Sequence, residues 1–243
     1  MIIQNNAIFI ADAHYNRKRT QFKELLLKIQ SEEIVTKQIF LMGDMFDFLS
    51  GDIEYFQNIN NEVSSLINEL STTHEIIYFE GNHDFNLIDI FPTLNVIERE
   101  NQPCIASYDG KEIFLAHGDI FTPFAYNLYS SIIRNRNFMK FINFIDKNNF
   151  LSKFVEEKLI NKKICHVQNN FLGFVHNRII NYHEIDKIDL IIEGHFHQGY
   201  LSDSYINLPS LACDNRYMIY QNNQFSFNTL QLYLWIITNT HNY

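Results

Sequence analysis

The sequence predicts an α/β fold on two observations. Short apolar, β-branched runs alternate with helical stretches early in the chain, and each run ends in a polar cluster. "AIFIADAH" (7–14), "QIFLMGDMFD" (38–47) and "EIIYFEGNHD" (75–84) are the first three runs; "EIFLAHGD" (112–119) and "DLIIEGHFH" (189–197) complete the set. Near-continuous apolar strands suit a sheet buried on both faces. Helices are expected at roughly 17–31, where "FKELLLKI" has helical spacing, and at 53–70, with "VSSLINEL". In such sheets the ligand site lies outside the carboxyl ends of the strands.

Between 121 and 185 the rhythm changes to aromatic and aliphatic residues at three-to-four spacing, interleaved with Lys and Arg. This stretch reads as a helical insertion, or cap, within a single domain spanning 1–243. Residues 217–237 carry none of Asp, Glu, Lys or Arg and read as closing β-strands with an Asn-rich turn.

Composition narrows the function classes. With 46% hydrophobic, 15% aromatic and 19% charged residues, the chain supports a substantial core and argues against disorder. The formal charge is -9, yet residues 121–188 hold ten Lys/Arg against five Asp/Glu, which points to a local anionic partner or a solvated helix surface. Cys104, Cys165 and Cys213 are scattered without a CxxC pair, so free thiols in a reducing compartment are expected. The N-terminus has no basic region ahead of its apolar run and does not read as a signal peptide. No segment offers about 18 consecutive apolar residues, as a membrane-spanning helix requires. A Walker loop and a dinucleotide GxGxxG are both absent, and no nucleic-acid partner is expected.

The polar residues at the five strand ends form a set: Asp12 and His14, Asp44, Asn82 and His83, His117, then His195 and His197. Each alone has an ordinary alternative, such as a helix cap for Asp12 or a hydrogen-bonded core histidine for His117. Five successive strand ends of this kind are hard to obtain by accident. If extended geometry lasts past the fifth strand, His195 and His197 share one face and reach one point. Imidazole with carboxylate suits borderline divalent ions such as Mn²⁺, Fe²⁺ and Zn²⁺. Seven ligands are too many for one ion and suit two, with the HxH pair giving one ligand to each.

DxH, GD, GNHD, HG and GHxH in this order resemble the signature of the calcineurin-like metallophosphoesterases. The resemblance covers roughly 1–120 and 186–220. It implies a sandwich of two mixed β-sheets flanked by helices, and two divalent ions, Mn²⁺ foremost. It assigns Asp12, His14 and His197 to the first ion, Asp44 to a bridge, and Asn82, His117 and His195 to the second. His83 matches the catalytic histidine, with Asp84 orienting it. Asp47 reads either as a further outer carboxylate or as a turn residue.

"GDMFDF", "GNHDF" and "HGDIFTPFAYNLYSSIIRNR" look most like the UDP-2,3-diacylglucosamine pyrophosphatases of lipid A biosynthesis. That resemblance implies a UDP-diacylglucosamine-type lipid substrate, and a cytoplasmic protein held peripherally at the inner membrane. Arg134, Arg136 and Lys140 are then expected at the rim of an apolar groove in the cap. One departure stands: the best-known branch of these enzymes has Arg where this chain has His83. A phosphodiesterase or nucleotide pyrophosphatase for a soluble substrate is the alternative reading, and a binding scaffold without activity a third.

Overall fold

The computed structural model describes residues 1–183, 185 and 188–231. The chain opens with β1 (Ala7–Ile10), α1 (Gln21–Gln30), β2 (Gln38–Leu41), β3 (Leu49–Ser50), α2 (Glu54–Ile59) and α3 (Asn61–Leu70). There follow β4 (Glu75–Phe79), β5 (Asp84–Phe85), β6 (Asn95–Ile97), β7 (Cys104–Tyr108) and β8 (Lys111–Ala116). Four helices come next: α4 (Phe124–Arg134), α5 (Arg136–Ile145), α6 (Phe150–Ile160) and α7 (Phe171–His183). The chain continues through β9 (Leu190–Glu193), β10 (Tyr200–Leu201), β11 (Tyr205–Asn207), α8 (Leu211–Asp214), β12 (Arg216–Gln221) and β13 (Gln224–Thr229).

Among the described residues the larger sheet runs β13-β12-β1-β2-β4-β6, with β1, β2, β4 and β6 mutually parallel. The smaller runs β10-β11-β9-β8-β7, with β8, β9 and β11 parallel. Strand alternation divides the larger sheet's side chains between two cores. Phe9, Phe40, Ile77 and Phe79 face the second sheet and pack with Leu115, Ile191 and Ile206. Ile8, Ile39, Leu41 and Ile76 face the other way, onto Leu25 and Ile29 of α1 and Val63 and Ile67 of α3. The result is an α/β fold, as the strand pattern implies, in the form of the two mixed sheets flanked by helices that the family resemblance implies.

Two boundaries differ from expectation, each for a local reason. α1 starts at Gln21 because the Asn16 side chain accepts from the backbone N–H groups of Lys18 and Arg19, fixing a turn over the predicted first residues. The helix expected at 53–70 is split at Asn60, whose side-chain amide donates to the Phe48 and Phe56 carbonyls. At the far end, β12 and β13 meet at an Asn222–Asn223 turn, and the rest of the expected strand, residues 232–237, lies outside the described residues.

The stretch from 121 is helical as expected, as α4 to α7. Phe56 and Phe85 of the core pack with Met139 of α5, and Val175 and Tyr182 of α7 join the sandwich core. Elsewhere these helices expose large apolar side chains: Phe124 and Phe150 are each 81% exposed and Phe144 is 65%. Among the described residues, no helix is long and apolar enough to cross a membrane.

Candidate metal centre

The parallel strands β1, β2 and β4 of one sheet and β8 and β9 of the other end against each other. His117 Nδ1 donates to the Met42 carbonyl at 2.8 Å, and the His195 N–H donates to Asp12 Oδ2 at 2.8 Å, so both bonds cross between the sheets. Extended geometry does not last into these ends. Asp12 (φ 50°), His14 (42°), Asp44 (56°), His195 (68°) and His197 (59°) all lie in the left-handed region, which non-glycine residues enter rarely and at a cost of order 1 kcal/mol each. Backbone bonds hold the first two there: Asp12 N–H to Gly43 O and His14 N–H to Asp44 O. His195 and His197 therefore do not meet by sharing a strand face; the turn aims them separately. Gly43 and Gly81 are required by space, since a Cβ would sit 2.3 Å from His117 Nδ1 and 2.3 Å from Asp44 Oδ1 respectively.

Two groups of ligand atoms result, Asp12–His14–His197 and Asp44–His117–His195. Asp44 also lies in a third group, with His14 and His83, so its carboxylate stands between the first two. His197 Nε2 is 3.3 Å from Asp12 Oδ1, a buried oxygen with no hydrogen-bond partner in the protein. In the second group His195 Nδ1 faces His117 Nε2 at 3.2 Å, with Asn82 Oδ1 at 3.4 Å from the same Nε2. Because His117 Nδ1 donates to the Met42 carbonyl, Nε2 is the ring nitrogen left to face Asn82 and His195. Burial, with His83 and His197 adding, holds His14 well below the usual histidine range. Burial and then the His117 charge push His195 down to about 3, so both rings are kept in the neutral form that binds metal. Burial disfavours charge on His117 too, but Asp44, Asp119 and Asp12 outweigh it and push that ring up to about 9. A buried oxygen without a partner and ring nitrogens that face each other at 3.2 Å are what a pair of divalent cations would satisfy, and the mixed imidazole–carboxylate donor set fits them.

The description of calcineurin-like phosphoesterases as a family matches residues 6–199, from before Asp12 to beyond His197. The chain belongs to that family. It is similar to UDP-2,3-diacylglucosamine hydrolases, including that of Histophilus somni (strain 129Pt), 32% identical over 113 residues, 46% of this chain and 48% of that protein. The one from Neisseria meningitidis serogroup B is 27% identical over 139 residues, 55% of this chain and 58% of that protein. The chain thus spans about half the length of the curated relatives it matches. Among solved structures it is similar to Yfce, a phosphoesterase from E. coli, at 13% identity, 92% of each chain and a TM-score of 0.47.

Within this family site, several residues are placed differently from expectation. His83 is oriented not by Asp84 but by the backbone: its Nδ1 donates to the Asp47 carbonyl at 2.6 Å. The Asp84 carboxylate instead accepts from the N–H groups of Asp44, Met45 and Gly81 and from the Tyr78 hydroxyl, bracing two ligand turns. The Asp47 side chain pairs with Arg19 and Asn16. Arg134 is not on a rim; it is buried, donating to Glu80 Oε2 at 2.8 Å and to the Gly81 carbonyl. Arg136 pairs on the surface with Asp89, and exposed Lys140 lies 3.9 Å from Asp52.

The cationic residues near the metal groups are others. A cavity of about 230 Å³ over the centre is lined by His14, Asp44, Asn82, His83, His195 and His197, and on its other wall by Lys162, Lys163, Ile164 and His166. The only sequence signal for that wall is "NKKICH" between two helical runs.

The same segment carries a correction. Cys165 and Cys213 are not free thiols but a disulfide, tying the segment after α6 to α8, with Cys213 Sγ 4.0 Å from His197 Nδ1. Cysteines 48 residues apart on different elements show no pairing in the sequence. Closing a loop of that length stabilises by about 4 kcal/mol in the chain-entropy picture. Denatured without reductant, the protein should offer one reactive thiol, Cys104, and three after reduction; reduction should also lower the melting temperature. Three thiols titrating before reduction would show that the tie does not form.

Proposed function

We propose that this chain is a hydrolase dependent on two divalent ions. It cleaves the diphosphate of UDP-2,3-diacylglucosamine to UMP and 2,3-diacylglucosamine 1-phosphate in lipid A biosynthesis. The observation that carries the reading is one site in which two metal-ligand groups meet at Asp44, beneath Lys162 and Lys163 and close to helices with unsatisfied apolar faces. The names of the relatives supply the substrate.

In this reading Asp12, His14 and His197 would hold the first ion and Asn82, His117 and His195 the second, with Asp44 available to both. Mn²⁺ is the first choice, and Fe²⁺ or Zn²⁺ suit the same donors. Bound there, the ions supply positive charge for the phosphoryl oxygens and lower the pKa of attacking water. The protein does the rest. Lys162 and Lys163 draw the diphosphate into the cavity. His83, its Nδ1 committed to Asp47, has Nε2 left to hand a proton to the leaving phosphate oxygen. Residues 121–185 act as a cap on a single domain, their aromatic faces taking the acyl chains. Lys147, Lys153 and Lys158 among those faces suit an anionic membrane surface, to which the protein attaches peripherally on the cytoplasmic side.

The test is hydrolysis, with Mn²⁺ present, of UDP-2,3-diacylglucosamine against UDP-glucose and bis-p-nitrophenyl phosphate. The diacylated substrate should be strongly preferred. Each acyl methylene removed from contact should cost about 0.8 kcal/mol, roughly fourfold in kcat/KM. Equal rates for the diacylated substrate and UDP-glucose would favour the soluble-substrate alternative.

A further inference from the structure

We propose that Arg134 of α4 and Arg178 of α7 are positioning residues that make the second-ion half of the site depend on the seating of these two helices. The inference rests on the dinuclear reading above. Both guanidinium groups are buried, with side chains 6% and 5% exposed, and both reach from these helices into loops that carry second-ion ligands. Arg134 holds the Glu80 carboxylate and the Gly81 carbonyl, immediately before Asn82. Arg178 donates to the Gly118 carbonyl at 3.1 Å and the Ile120 carbonyl at 2.8 Å, immediately after His117. Through Nε, at 2.9 Å, and Nη2 it also grips both oxygens of Glu193, two residues before His195. Tyr182, also on α7, donates to the same carboxylate at 2.7 Å.

Asn82, His117 and His195 are thus each within two residues of a group held by one of the two arginines. The first-ion side is built differently. Around Asp12 the bonds come from Leu211 N–H to Ala11 O and from the Ser210 hydroxyl to Asp12 O. The His14 carbonyl accepts from Arg19, whose guanidinium also reaches the Leu159 and Ile160 carbonyls of α6 at 3.4 Å, so this side touches neither α4 nor α7 through these bonds. A ligand loop held at one geometry binds its ion without first being ordered, and outer partners of metal ligands commonly carry 10–100-fold in metal affinity. Two planar forks, each holding a carboxylate and a carbonyl together, supply that order, which lysine's single ammonium cannot reproduce.

The experiment is titration of metal-free wild type, Arg134→Lys and Arg178→Lys with Mn²⁺, followed by calorimetry and by metal content per chain. Lysine keeps a cation beside buried Glu80 or Glu193, and binding at the first site reports that the fold is intact. Arg136→Lys, on the surface, is the control. Expected are two ions in wild type and control, and in each buried-arginine variant unchanged affinity for the first ion with a 10–100-fold loss for the second. Wild-type affinity for both ions in the variants, or equal weakening of the two, would overturn the proposal. Fewer than two ions in wild type itself would instead overturn the dinuclear reading.

Discussion

Replacing Asp44 with alanine is expected to abolish hydrolysis and to leave fewer than two ions per chain. Asp44 is buried, stands in two of the three ligand groups, and accepts the His83 backbone N–H at 2.8 Å through Oδ1. Removing it would take a carboxylate shared by two ligand groups, and it takes an acceptor from the loop bearing Asn82. A single electrostatic group at a reacting centre commonly accounts for roughly 10²–10³ in turnover, and loss of a shared ligand should exceed that. Asp44 has a left-handed backbone (φ 56°), so alanine adds strain of order 1 kcal/mol that asparagine, at home there, does not. Asp44→Asn is therefore the cleaner companion, losing the charge and keeping the turn. Circular dichroism should show both variants folded, because the adjoining core of Phe40, Met42 and Ile77 does not use the carboxylate. Turnover within tenfold of wild type, with two ions bound, would take Asp44 out of the shared position.

His83→Ala should lower turnover by roughly 10²–10⁴-fold, the scale of one positioned acid or base, while metal content stays at the wild-type value. The separation of the two readouts follows from geometry. The His83 Nδ1 is occupied by the Asp47 carbonyl, and the two principal ligand groups are complete without this ring. Unchanged turnover would remove His83 from the reaction. Loss of an ion would make it a ligand instead.

Much of this site is legible in the chain because ligand identity is a matter of residue type at strand ends. Asp12, His14, Asp44, Asn82, His117, His195 and His197 all come together, as strands buried on both faces require of their polar termini. What the sequence hides is direction. The left-handed turns at Asp12, His14, Asp44 and His195 are fixed by bonds to distant loops, so strand periodicity misstates how the HxH pair is aimed. Arg134 looks like any other cation of an amphipathic helix, and only packing shows that it points inward to Glu80. Asp84 sits beside His83 in sequence, yet its carboxylate is used up by three N–H groups and a hydroxyl.

The hydrogen bond from His195 to Asp12 joins residues 183 positions apart, and that span has a meaning in time. At ribosomal rates of about 5–20 residues per second, synthesis of those 183 residues takes roughly 9–37 s. For most of that interval a nascent chain holds Asp12, His14 and Asp44 without the histidines that follow β9. The full ligand set is thus assembled late in biosynthesis, only when β9 docks between β8 and β11.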